Sequence, residues 1–175
     1  MWQRVLDRLR RTAGREGRLD WTTHIVDSTV VRAHQHAAGS AAGQQREALR
    51  RSPGGFSTKV HVRAEGGGKP MAFEVSSGER HGSLYVAALL ARGHVRRALA
   101  HRGIRAIIPR RRDQHPGDGR RAPFDRATDR ATDRERNRVD RLINRLKQHR
   151  RVATRNEKRA AHYAAMLPAA AAVLV

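Results

Sequence analysis

The sequence predicts an α/β fold, a mixed sheet with flanking helices, and three observations carry that expectation. A β-branched run, WTTHIVDSTVV, fills residues 21–31. Two further segments alternate apolar and polar residues around a turn, and the C-terminal third is patterned at helical spacing. Strands come first and long helices last, in a chain of 175 residues that is long enough for one domain with its own core.

Residues 2–12 open the chain with Trp2, Val5, Leu6 and Leu9 on a helical period, stopped by Gly14 and Gly17. They form an amphipathic entry helix, and Trp2 and Trp21 are expected in the core. The strand at 21–31 carries Asp27 in its middle, where a carboxylate is locally out of place. Residues 37–55 are small, polar and basic, and read as a loop with one helical turn near Glu47. Thr58, Val60 and Val62 then alternate with Lys59, His61 and Arg63, and Met71 to Val75 follow the turn 65–69, which predicts a hairpin.

Further along, residues 83–91 and 94–101 are helical in type. RAIIP at 105–109 reads as a short strand ended by proline, and the charged, breaker-rich stretch after it as loop. Val139, Leu142, Ile143 and Leu146 fall at i, i+3, i+4 and i+7, the stripe of a long helix with a basic outer face. A second helical segment covers 156–167. The repeat DRATDRAT at 125–132 reads as a short duplication, and Asp125, Asp129 and Asp133 as a solvated helix face rather than a metal site.

Composition narrows the function classes. The aromatic content is 4% and mean hydropathy is -0.74, so the core rests on Val, Ile, Leu and Ala. The absence of cysteine excludes disulfides and thiolate zinc sites. The Arg-rich N-terminus has no apolar signal core, and the Ala-rich end, interrupted by Pro168, is too short to span a bilayer. The expectation is a soluble, cytoplasmic, nucleoid-associated protein with no membrane partner. A formal charge of +21 makes nucleic acid the natural polyanionic partner, although 33 of the 37 basic residues are Arg, a skew that GC-rich coding also produces.

The string LDWTTHIVDSTVVRAHQHAAG at 19–39 resembles the first catalytic strand, and the His-Gln-His stretch after it, of the DDE transposases of bacterial insertion sequences, the "IS five" kind within the "IS four" superfamily. RRSPGGFSTKVHV at 50–62 is similar to that family's basic Gly-rich loop and next strand, and PMAFEVSSGERHGS at 70–83 to its third strand and turn. Residues 136–167, beginning RNRVDRLINRLKQHRR, resemble its C-terminal catalytic helix. These blocks stand in family order and cover most of the chain.

The resemblance implies a ribonuclease-H-like catalytic domain at 19–175, preceded at 1–18 by a remnant of the family's N-terminal helical region. It implies DNA as substrate, cleavage and strand transfer as the reaction, and Mg²⁺ or Mn²⁺ held by three carboxylates, since in-line displacement at phosphorus uses one ion on the attacking oxygen and one on the leaving oxygen. Carried over by residue, Asp27 falls on the first catalytic Asp and Asp140, in RNRVDR, on the catalytic Glu. DNA contacts are expected from Arg51, Ser57, Thr58 and Lys59 on the Gly-rich loop and from Arg141, Arg145, Lys147, Arg150 and Arg151 on the last helix. Partners are DNA and a second copy or an intact transposase.

The pattern departs from the family in three places. Asp140 is one methylene shorter than Glu, and Gly82 stands where the family usually has Asp. The fourth strand with the second catalytic Asp is missing: LLARG at 89–93 runs almost directly into HVRRALAHRG, and no acid lies between Glu79 and Asp113. Its loss leaves the Asp27 strand short of a neighbour unless the Ile107 strand replaces it. His34 and His36 would share a face if the strand continued, but no third ligand accompanies them for zinc. Three functional expectations remain: a metal-dependent enzyme that nicks or transfers strands, a catalytically dead DNA-binding remnant, and an unstable product of a decayed gene.

Overall fold

Asp27 sits on an inner strand of a mixed sheet of five strands, and the reason lies in how the β-branched run pairs. The computed structural model describes residues 1–92 and 126–175, and for residues 126–132 and 135 it describes the backbone alone. The expected helix at 94–101, the strand at 105–109, the loop after it and the substitution of the Ile107 strand lie outside the described residues.

Strand β1 (His24–Ala33) starts three residues later than the composition suggests and continues further. It pairs antiparallel with β3 (Gly55–Glu65), Asp27 opposite Val62 and Ser28 opposite His61. The other edge of β3 is shared end to end by β2 (Arg50–Ser52) and β4 (Pro70–Ser77). The predicted hairpin is therefore β3–β4, turning through Gly68 at a φ of 88°, which a side chain disfavours. On the far edge of β1, β5 (Thr154–Arg155) pairs in parallel with Arg32 and Ala33. The sequence expectation for 37–55 lacked β2, whose three residues are all polar and exposed and carry no apolar alternation to reveal it.

Helix α1 (Trp2–Arg15) buries Leu6, Arg10 and Ala13. The expectation that Trp2 is core is corrected: the buried line runs through Leu6, Arg10 and Ala13, so Trp2, Val5 and Leu9 face outward, Trp2 at 42% exposure. Trp21 is half-buried against the small cluster of Ala13, Leu19 and Met71. A 3₁₀ turn (Gly82–Tyr85) leads into α2 (Val86–Ala91). The long helix α3 (Arg126–Lys147) lays Val139, Leu142, Ile143 and Leu146 on the β1–β3 face, meeting Val31, Val60 and Val62. A single turn α4 (Arg150–Ala153) and β5 precede the predicted second helical segment, and the last helix, α5 (Ala160–Ala171), begins four residues later than expected and runs through Pro168. Tyr163 and Leu167 of α5 close the same core, the Tyr163 hydroxyl donating to Val152 O at 2.9 Å.

The strand does not continue through the histidines. His34 caps a 3₁₀ turn (Gln35–Ala38), its Nδ1 accepting from His36 N–H at 3.3 Å, and the two rings meet edge to face at 4.6 Å. No helix among the described residues is long and apolar enough to cross a membrane.

Candidate functional site

Alternation along β1 places Ile25, Asp27, Thr29 and Val31 on one face of the sheet. That face is covered by α3, so Asp27 is half-buried at the margin of an apolar interface. Asp140 follows Val139 on α3, and while Val139 is buried in the stripe, Asp140 is exposed beside it. The two carboxylates are near enough to act on each other. Burial first, and then the negative charge of Asp140, raise the Asp27 carboxyl above its ordinary pKa. A hydrogen bond from Ser28 N–H to Asp27 Oδ1 at 2.7 Å and the charge of Arg136, one turn before Asp140, oppose the rise. Helix and strand thus bring together two acids that are 113 residues apart in the chain (140 − 27).

Among the described residues no set of three or more His, Asp or Glu side chains converges as a metal site. The void beneath the same face, about 10 Å³, is lined by Thr29, Val31, Val60, Val62, Ile143 and Leu146 among others, too apolar and small for a ligand.

The sign of the Asp27 shift gives a testable consequence. The folded protein holds the Asp27 proton more tightly than the unfolded chain does, so ionisation of Asp27 costs stability as pH rises through its folded titration. Asp27→Asn is therefore expected to be more stable than the parent at neutral pH, with the advantage shrinking on acidification. Urea midpoints at neutral and mildly acidic pH read this. A variant less stable than the parent at neutral pH would mean the carboxylate is held by a favourable partner.

The expected DNA contacts divide into two groups. Arg141, Arg145, Arg150 and Arg151 are exposed and Lys147 is half-exposed, a run of cations on the outside of α3 and α4. Arg151 is partly offset by Glu157, 3.9 Å away. On the Gly-rich segment, Gly54 and Gly55 form the β2–β3 turn, with the Arg32 guanidinium donating to Gly54 O. Arg51 is exposed with its guanidinium 5.6 Å from the centre of the Phe56 ring, and Lys59 Nζ donates to Arg80 O at 2.7 Å. Ser57 and Thr58 are buried, and the Thr58 hydroxyl lies 2.7 Å from Ala48 O and 2.9 Å from Ser76 O, so these two hydroxyls do not face a phosphate at the surface.

Sequence reasoning gave no role to Arg136, whose charge reaches Asp27, nor to two fully buried arginines, Arg63 and Arg155. Arg63 falls on the polar side of the alternation along β3, so its burial carries no signal in the sequence.

Comparison with known proteins adds one relative. The uncharacterized protein y4sN of Sinorhizobium fredii is 41% identical over 63 residues, which is 36% of this chain and 42% of that protein. The chain therefore spans less than half the length of this relative. No family model matches the chain, and no solved structure matches it.

Proposed function

We propose that the chain is a transposase-derived DNA-binding protein with a degenerate ribonuclease-H-like domain, impaired in cleavage and strand transfer. The observation that carries this reading is that α3, the helix of Asp140, packs on β1, the strand of Asp27, so that the charge of one acid reaches the other. Two features agree with it: β1, β3 and β4 form an antiparallel series with the acid on its first strand, and a basic surface runs along α3 and α4 from the acid pair. The resemblance of residues 19–39 and 136–167 to DDE transposases then supplies the reaction class.

Asp27 and Asp140 carry the hard oxygen donors that Mg²⁺ or Mn²⁺ takes, and these two residues would hold such an ion, with one acid fewer than the set of three that holds two ions. When bound, such an ion polarises a phosphate oxygen and neutralises the acid pair. The chain's own contribution is positional. Ser28 N–H fixes the Asp27 carboxylate, the Val139 to Leu146 stripe fixes the helix that carries Asp140, and Arg136, whose charge reaches Asp27, would attract a negative phosphate oxygen beside the pair.

A plasmid assay with Mn²⁺ tests the reading. The protein is expected to retain DNA without efficient strand transfer, and any trace of nicking is expected to vanish in Asp27→Ala while DNA affinity persists. Nicking that survives Asp27→Ala would sink the assignment of the acid pair. Efficient strand transfer that is lost in Asp27→Ala would keep the family and overturn the impairment.

The lack of a third converging acid among the described residues favours one other reading, a catalytically dead remnant that binds DNA through charge alone. It predicts no nicking at all under the same conditions.

A further inference from the structure

The outer side of α1 carries two stripes that the core does not use. At about 100° per residue, Leu6, Arg10 and Ala13 fall within roughly 60° of one another and point into the protein. Trp2, Val5 and Leu9 form a second stripe along that margin and are 42%, 39% and 37% exposed. Arg4, Arg8, Arg11 and Arg15 form a third, all exposed and on the side of the helix away from the core. With Met1, its N-cap, α1 holds four of the seven large apolar side chains that stand exposed among the described residues, so this apolar surface is gathered rather than scattered.

The charge on this side has one sign. Asp7 is the one acid of α1, and it is bound within the helix, accepting from Gln3 Nε2 at 2.9 Å and pairing with Arg10 at 3.2 Å. The four outer arginines stand at i, i+4, i+7 and i+11, a row about 16 Å long that repels the same row on a second copy. Size argues against a protein partner: three part-covered side chains over about 10 Å fall far short of the roughly 800 Å² per partner that a stable protein interface covers. Duplex DNA offers phosphates but no apolar layer for the stripe. An anionic lipid surface meets both, since its phosphates take the guanidinium groups while the apolar stripe reaches the upper acyl chains.

We propose that α1 is an interfacial helix that lies on an anionic lipid surface, with Trp2, Val5 and Leu9 inserted and the arginine row on the headgroup phosphates. The contact runs along the membrane and not across it, since no helix among the described residues is long and apolar enough to span. The expectation of no membrane partner rested on the lack of a signal core and of a span, and neither bears on a helix lying flat in the interface. Leu6, Ala13 and Arg10, whose Nε donates to Pro70 O at 2.9 Å, hold α1 against the protein with its other two stripes outward. The surface is independent of the DNA-binding reading, which rests on α3 and α4.

Vesicles of equal parts phosphatidylglycerol and phosphatidylcholine, against phosphatidylcholine alone, test the surface. The unaltered chain is expected to co-sediment with the anionic vesicles, and its tryptophan emission to shift to the blue and be quenched by lipid brominated on the acyl chains. Trp2→Phe should remove most of that quenching, because the other tryptophan, Trp21, packs against Ala13, Leu19 and Met71. Val5→Ser with Leu9→Ser should weaken vesicle binding roughly tenfold, and Arg4→Gln with Arg8→Gln by at least as much. Both pairs replace exposed side chains, so melting close to the parent's is expected, and the Val5 and Leu9 pair should keep its duplex affinity. Vesicle binding without acyl-chain quenching, or binding unchanged in that pair, would reduce the contact to adsorption by the net charge of +21 and overturn the proposal. Equal binding to phosphatidylcholine alone would overturn it by leaving the arginines no part. So would self-association that the Val5 and Leu9 pair abolishes in a chain that ignores vesicles, or a loss of duplex affinity in that pair, which would make α1 part of the DNA surface.

Discussion

Replacing Arg155 by alanine is expected to lower stability by about 3–5 kcal/mol, from the lost packing of a large buried side chain together with several carbonyls left without a donor. Arg155 is 0% exposed and lies where the parallel strand β5 meets Ala33 of β1. Its guanidinium donates to Glu157 O at 3.0 Å, Lys158 O at 3.1 Å and Ala48 O at 3.2 Å, with Thr58 Oγ1 at 3.4 Å, and stands 5.7 Å from the centre of the Tyr163 ring. One side chain therefore joins the segment before β2, strand β3, the turn after β5 and helix α5. Alanine would leave those carbonyls without a donor and open space beside Tyr163, which is itself fully buried.

Because the total stability of a domain is about 5–15 kcal/mol, this loss is a large share of it, and a fall of roughly 10 °C in melting temperature follows. Arg155→Lys should lose less, since an ammonium still meets one or two carbonyls but cannot span the set. A change below about 1 kcal/mol in Arg155→Ala would show that these segments are held by other contacts. The buried guanidinium has its pKa lowered, by burial first, while Glu47 and Glu157 work in the opposite direction.

The placement of the candidate acids was legible in the sequence for a specific physical reason. An acid in a β-branched strand contradicts local propensity, so Asp27 stands out from the residue pattern by itself, and the stripe from Val139 to Leu146 fixes which side of α3 faces the sheet. With that side known, Asp140 has to lie at the stripe's margin. The α/β arrangement follows from the same two patterns.

What remained hidden depends on tertiary context. The outward face of Trp2 is set by which line of α1 meets the core, and both its lines carry apolar residues. The short strands β2 and β5 exist because β3 and β1 offer them edges, and their own residues, RRS and TR, carry no strand signal. Ser57 and Thr58 resemble surface donors in a Gly-rich string but are inward, since β3 is inserted between β1 on one edge and β2 and β4 on the other. Arg63 and Arg155 read as members of a basic majority until burial separates them from it.

Duplex DNA binding through α3 and α4 is expected to fall steeply with salt, and the slope tests the surface more sharply than an affinity does. Arg141 and Arg145 lie one turn apart on α3, about 6 Å along the helix axis, and Lys147, Arg150 and Arg151 continue the run around the turn into α4. If these five side chains each neutralise a phosphate, log affinity against log salt has a slope of about −4.5, and affinity drops about 500-fold between 50 and 200 mM salt. Fluorescence anisotropy with short duplexes of unrelated sequence should give similar slopes, because phosphate contacts carry no sequence information. Arg145→Gln should reduce the slope by about 1 and weaken binding to every duplex alike. The net charge of +21 offers a competing source for the same attraction, spread over the whole molecule. The two differ in one respect: a diffuse field would respond equally to Arg4→Gln or Arg8→Gln on α1, whereas a surface built on α3 and α4 responds to Arg141 and Arg145 and leaves the α1 variants near the parent. Equal responses, or an affinity that is flat across this salt range, would remove α3 and α4 as the DNA-binding face.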